Sequence, residues 1–275
     1  MLHITDSITS RQNQKIKNLI SLQKQSERHK QQLFIIEGNR EIRKAVDSGY
    51  MFEAVFFHSG LIGREQIEAL FGRSLPEQIY EVNDHVYSKI AYREGSEGIV
   101  VTARPETHDL QTVSKQLSSN PLLLVIEGIE KPGNIGAIYR TADAAGIDGI
   151  LICNPKTDLY NPNLIRASLG CVFTVPTAIV KSPEAITWLK DMGICIFTTY
   201  IMEKSVAYHT IDYNQPAAIV VGAEATGISN AWLDASDANL IIPMKGMADS
   251  LNVSTSAAIL VFEACRQRDF LSAGK

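Results

Sequence analysis

Short apolar runs and helical stretches alternate along almost the whole chain. Residues 11–29 set Ile16, Leu19, Ile20 and Leu22 at helical spacing on a polar background, which predicts a helix. Strands are predicted at 33–36, 52–58, around 78–82 and at 98–103, with helices at about 39–48, near 64–71 and at 84–91. Residues 104–120 are polar and bounded by prolines, so they read as a linker with a short helix inside. The second half alternates more strongly. Strands are expected at 122–126, 149–153, 194–199, 217–221 and 238–242, and helices at 134–145, 164–169, 183–192 and 253–268. Strands that are apolar throughout, alternating with helices, imply a parallel sheet covered on both faces. The expected layout is a small α/β domain over 1–103, a linker over 104–120 and a larger α/β domain over 121–275.

In such sheets ligands sit beyond the carboxyl ends of the strands, so the segments after those ends are where chemistry belongs. In residues 127–146, Gly133 and Gly136 permit a tight strand-to-helix turn, Asn134 is suited to cap the helix, and Arg140 follows six residues on. The dinucleotide spacing GxGxxG is absent, which disfavours a nicotinamide-dependent enzyme. In residues 220–229, Glu224 directly follows an apolar strand between two glycines, as an acid that caps a helix or orients a ligand. In residues 241–254, an irregular loop carries Gly246 and the tripeptide Ser250, Leu251, Asn252; its plainer reading is a cap on the last helix by Asn252 or Ser254.

Composition adds little, but charge placement adds something. The chain has 275 residues, 45% hydrophobic and 20% charged, with a formal net charge of −4, which argues against coating nucleic acid by bulk attraction. Residues 11–30 nevertheless hold six basic side chains against one acidic, a local patch fitted to phosphate contact or to a solvated helix face. No apolar stretch is long enough to span a bilayer, and no secretory signal is read at the start, so a cytoplasmic location is expected. Four scattered cysteines and six dispersed histidines suggest neither a disulfide frame nor a metal site.

Taken together and in order, the three segments resemble the motifs of the SpoU family of RNA 2′-O-ribose methyltransferases, within the SPOUT superfamily. Asn163, Arg166, Ser168 and Gly170 add a fourth matching run. The resemblance is close over 121–268. Over 8–103 it is looser and points to a ribosomal-protein-like RNA-binding domain, carried by Arg11, Asn13, Lys15 and residues 34–38. It implies a sheet threaded as a deep trefoil knot, S-adenosylmethionine as methyl donor, structured RNA as substrate with ribosomal RNA ahead of transfer RNA, and a homodimer. The donor is implied to lie against Gly222, Ile242 and Leu251, with the loop from Met244 and the strand end Thr198 and Thr199 around it. Asn134, Arg140, Glu224, Asn252 and Ser250 are the implied catalytic set. Arg11, Lys15, Arg28, Arg266 and Arg268 are the candidate RNA contacts; without the resemblance the last two read as helix-end charges complementing the dipole. The family gives proton abstraction to the arginine matching Arg140, yet a guanidinium is a poor base at neutral pH. A forked grip on phosphate and hydroxyl is the alternative role. Ala223, Lys131 and Cys171 depart from the family pattern. A non-catalytic RNA-binding assembly factor is the competing class.

Overall fold

In the computed structural model, which describes residues 3–92, 96–202, 204–223 and 226–270, the apolar runs become strands and the amphipathic stretches between them become helices. The chain divides into two units, one of residues 1–107 with 158–174, the other of 108–157 with 175–275. Both the linker and the larger domain read from the sequence are therefore split. Residues 104–107 cluster with the first unit, 108–120 with the second, and 158–174 leave the second half of the chain to join the first unit.

The first unit opens with β1 (Asp6–Ile8), α1 (Gln14–Ser21), α2 (Gln25–Gln31) and β2 (Phe34–Glu37). It continues through α3 (Asn39–Asp47), β3 (Phe52–Phe57), α4 (Arg64–Phe71), β4 (Gln78–Val82), α5 (Asp84–Ile90) and β5 (Ile99–Ala103). The single helix expected over 11–29 is two. The Asn13 side chain caps α1 by accepting the Lys15 N–H at 2.9 Å, and the apolar face of α1 ends at Leu22. Residues 25–31 carry no apolar side chain, so nothing continues that face. The sheet runs β1-β4-β3-β5-β2, with β5 antiparallel to both neighbours. β1, only three residues long, was not expected from the sequence.

The second unit holds α6 (Leu110–Ser114), β6 (Leu122–Glu127), α7 (Pro132–Ala145) and β7 (Gly149–Cys153). The chain then gives α8 (Pro162–Ala167) to the first unit and returns with β8 (Thr177–Val180), α9 (Ser182–Asp191), β9 (Cys195–Thr199) and β10 (Val206–Ala207). It closes with β11 (Ala217–Gly222), α10 (Asn230–Ala235), β12 (Ala238–Ile241) and α11 (Val253–Gln267). All seven strands are parallel, in the order β10-β12-β9-β11-β6-β7-β8. β8, β10 and α10 were not anticipated. They are short, and their apolar content is too brief to show a period.

Alternation along β6 and β11 sorts the core. Leu123, Val125, Ala218 and Val220 join a cluster with Val113 of α6, Ala185 and Leu189 of α9 and Trp232 of α10. The alternate positions, Leu124, Ile126, Ile219 and Val221, are equally buried. α11 packs against β11 and α7. Each fully buried Leu or Ile contributes about 1.5–3 kcal/mol, so this double-sided burial is the main source of stability in the sheet. At its starting edge, Asp148 accepts the Ser118 and Leu122 N–H groups at 2.6 and 2.8 Å, fixing where β6 begins.

Candidate active site

Because the seven strands are parallel, their carboxyl ends share one edge. Register places Gly222 beside Glu127 and Glu127 beside Cys153, while Thr198 pairs with Val220 and Thr199 with Leu240. The connections leaving this edge are the segments singled out in the sequence.

Two of them meet directly. Asn252 caps α11: its Oδ1 accepts the Ser254 N–H at 2.9 Å and the Ser254 hydroxyl at 2.6 Å. Its Nδ2 donates to Asn134 Oδ1 at 3.2 Å. Residues 118 apart in sequence thus join the first turn of α7 to the first turn of α11, two long helices whose positive ends lie together. Asn134 is not the cap expected for α7. That helix starts at Pro132, which needs no N–H at its first position, and Lys131 stands at the N-cap position with no capping hydrogen bond from its side chain. Freed from capping, Asn134 turns to Asn252.

Arg140 is exposed, and no hydrogen bond to its side chain occurs among the described residues. It lies on one stripe of α7 with Gly133 and Ala137, about 10 Å along the axis from Gly133. Its side chain can lean back towards the helix start. Ser250 is exposed, with its hydroxyl 3.3 Å from Asp249 Oδ1. Glu224 lies outside the described residues.

Around the edge, Ile242 and Met244 are half-buried and Leu251 is 37% exposed, so apolar surface is presented to solvent. Gly222 must be glycine for a reason internal to the chain. A Cβ there would stand 2.3 Å from the Gly227 carbonyl oxygen. The loop folds back this closely because Ala223 and Gly227 exchange backbone hydrogen bonds of 3.1 and 2.8 Å, with Gly227 at φ +64°. The Thr198 side chain is fully buried and its hydroxyl is engaged by Ser236 and Asn239. Thr199 is half-buried and donates to the Val220 carbonyl at 2.9 Å.

The proposed RNA contacts separate. Arg28 is 4% exposed, pairs with Asp158 and donates to the Leu22 and Gln23 carbonyls at 2.8 and 2.9 Å. Arg268 donates to the carbonyls of Tyr213, Asn120 and Gln215 at 2.7–2.8 Å, and burial pulls its pKa down. Both guanidiniums serve the fold, and the expectation of RNA contact is replaced by that role. Arg11 donates to the His85 carbonyl and the Ser88 hydroxyl at 2.6 and 3.0 Å. The Lys15 ammonium sits 4.7 Å from the centre of the Tyr80 ring. Arg266 is 62% exposed and forks onto Glu263 at 2.8 and 2.9 Å; its hydrogen bonds are the main reason the Glu263 carboxyl is held down at about 2.

Sequence reasoning passed over Glu127. It is 5% exposed at the end of β6 and accepts from Ser182 Oγ at 2.6 Å, Ser229 N at 2.7 Å, Ser229 Oγ at 2.9 Å and Asn154 Nδ2 at 3.3 Å. A carboxylate ending a five-residue aliphatic run was the available signal. Beside it, burial first and the Glu127 charge second push the Cys153 thiol up to about 12. Among the described residues no cluster of three His, Cys, Asp or Glu side chains could hold a metal, and no helix is long and apolar enough to cross a membrane.

Residues 121–262 match the SpoU rRNA Methylase family, and residues 13–101 match an MRM3-like substrate binding domain. The chain belongs to the SpoU family. It is 29% identical over 255 residues to a 23S rRNA guanosine 2′-O-methyltransferase of Bacillus subtilis (strain 168), covering 93% of this chain and 97% of the relative. It also resembles the crystal structure of an RNA 2′-O ribose methyltransferase, with a TM-score of 0.81, 38% identity and coverage of 95% and 99% of the two chains. An AdoMet-bound rRNA methyltransferase from Sinorhizobium meliloti superposes with a TM-score of 0.84 at 29% identity, covering 94% and 97%. Fold and family agree with the resemblance read from the motifs.

Proposed function

We propose that this SpoU-family chain transfers a methyl group from S-adenosylmethionine to the ribose 2′-hydroxyl of a nucleotide in structured RNA, with ribosomal RNA as its substrate. The observation that carries this reading is the Asn134–Asn252 contact, which joins the first and third motif segments at the carboxyl edge of the parallel sheet. The relative from Bacillus subtilis, a 23S rRNA 2′-O-methyltransferase aligned over nearly its full length, favours ribosomal over transfer RNA.

The residues present suit the donor. Half-buried Ile242 and Met244 with exposed Leu251 offer apolar cover for an adenine, and backbone groups of the loops after Gly222 and Ile241 can meet its polar edge. Bound there, S-adenosylmethionine supplies an electrophilic methyl group on a sulfonium. Asn134, Asn252, Ser250 and Glu224 then fix the loops and the acceptor, and orientation provides much of the acceleration. Arg140, exposed on the α7 stripe, grips the acceptor's phosphate and hydroxyl by forked hydrogen bonds. Arg11, Lys15 and Arg266 are the basic groups that remain for RNA.

The same reading includes knotted threading of the sheet's last part, a homodimer and a cytoplasmic setting. The test is methyl transfer from labelled donor into ribosomal RNA, with Arg140→Lys compared with wild type. Loss of the fork should lower kcat at least about tenfold, the size of one charged hydrogen bond. Near-normal turnover by the lysine variant removes the fork, and absence of transfer by the wild type removes the function.

A further inference from the structure

Glu127 has four hydrogen-bond donors on its two carboxylate oxygens, and they come from three separate connections. Asn154 follows β7, Ser182 opens α9, and Ser229 supplies both its N–H and its hydroxyl at the N-cap of α10. A carboxylate offers about four lone-pair sites, so its capacity is filled. Ser229 ends the loop that begins after Gly222, and Gly222 lies in register beside Glu127. The loop is therefore closed at its base by the Ala223–Gly227 pair and tied at its far end to the neighbouring strand.

We infer that Glu127 is a positioning residue for methyl transfer: through Ser229 it holds Gly227 and Ile228, folded back on Gly222, where they receive S-adenosylmethionine. This rests on the donor-site reading above. A purely architectural carboxylate would affect stability alone, and the protein contains a matched example. Asp148, also buried, accepts two backbone N–H groups at the opposite end of β6, away from the loop.

The experiment is calorimetric titration of S-adenosylmethionine into the full chain, with thermal melting of each variant. Glu127→Gln turns an N–H2 towards groups that themselves donate, and should weaken donor binding at least about tenfold, as for loss of hydrogen bonds to a charge. Ser229→Ala should weaken it by about threefold or more, and Ser229→Thr, which keeps the hydroxyl, should restore it. Asp148→Asn should lower the melting temperature while leaving donor affinity within twofold. Equal donor affinity in wild type and Glu127→Gln overturns the inference, as does parallel weakening by Asp148→Asn. If Glu127→Gln does not fold, the Ser229 pair decides: loss with alanine and recovery with threonine supports the inference, and no difference between them overturns it. A wild type that does not bind the donor overturns the donor-site reading itself, before any variant is compared.

Discussion

Replacing Gly222 by alanine tests whether the close approach of Gly227 and Ile228 to Gly222 is built for the donor. The added methyl would lie 2.3 and 2.4 Å from the Gly227 carbonyl oxygen and carbon, and 2.7 Å from Ile228 Cγ2. Close-packed interiors tolerate no such overlap, so the Gly227 backbone must retreat by about 1 Å. That shift carries the 2.8 and 3.1 Å bonds between Ala223 and Gly227 beyond hydrogen-bonding range. Two backbone bonds at about 1 kcal/mol each, with about 1–3 kcal/mol of overpacking, disfavour the closed loop by about 3–5 kcal/mol. The loop can open without unfolding the sheet, so the cost falls on binding rather than on the melting temperature. Calorimetry should then find S-adenosylmethionine bound at least about 100-fold more weakly, since each 1.4 kcal/mol is tenfold. Binding within threefold of wild type would refute the reasoning.

Two further outcomes follow from side chains whose roles the structure changed or defined. Arg28→Met leaves Asp158 buried without its cation and should cost about 3–5 kcal/mol in urea unfolding. The salt dependence of RNA binding should not change, because no phosphate contact is lost; a shallower salt slope would return Arg28 to the interface. Glu263, held at about 2 against an ordinary 4.5, contributes stability that is complete above pH 4.5 and lost as pH falls towards 2. The melting-temperature gap between wild type and Glu263→Gln should therefore close on acidification over that range, and a gap independent of pH would contradict the assignment.

Much of this architecture is legible in the chain because the dominant signal is burial. The run from Leu122 to Ile126 and the run from Ala217 to Val221 can only be interior strands, and they lie where expected. What escaped is set by single contacts rather than by period. Asn134 looked like a cap because its residue type favours that role, yet Pro132 starts the helix earlier and the asparagine turns to Asn252. Arg28 lay in a basic stretch, and its burial depends on Asp158, 130 residues away. The departure of residues 158–174 to the first unit has the same origin. Phe34 stacks on Tyr160 with ring centres 4.1 Å apart, a pairing that no local pattern announces. At the site, the motif residues were readable in order, whereas Glu127, the first residue of the 127–146 segment, was given no role there because its partners Asn154, Ser182 and Ser229 come from three distant connections.

The most direct test is a map of ribose 2′-O-methylation in ribosomal RNA from cells with and without this gene, with the deletion complemented by wild type or by Asn134→Ala. The account predicts a mark that disappears on deletion, returns with the wild type and does not return at full level with the variant. Identical maps in the presence and absence of the gene would contradict it.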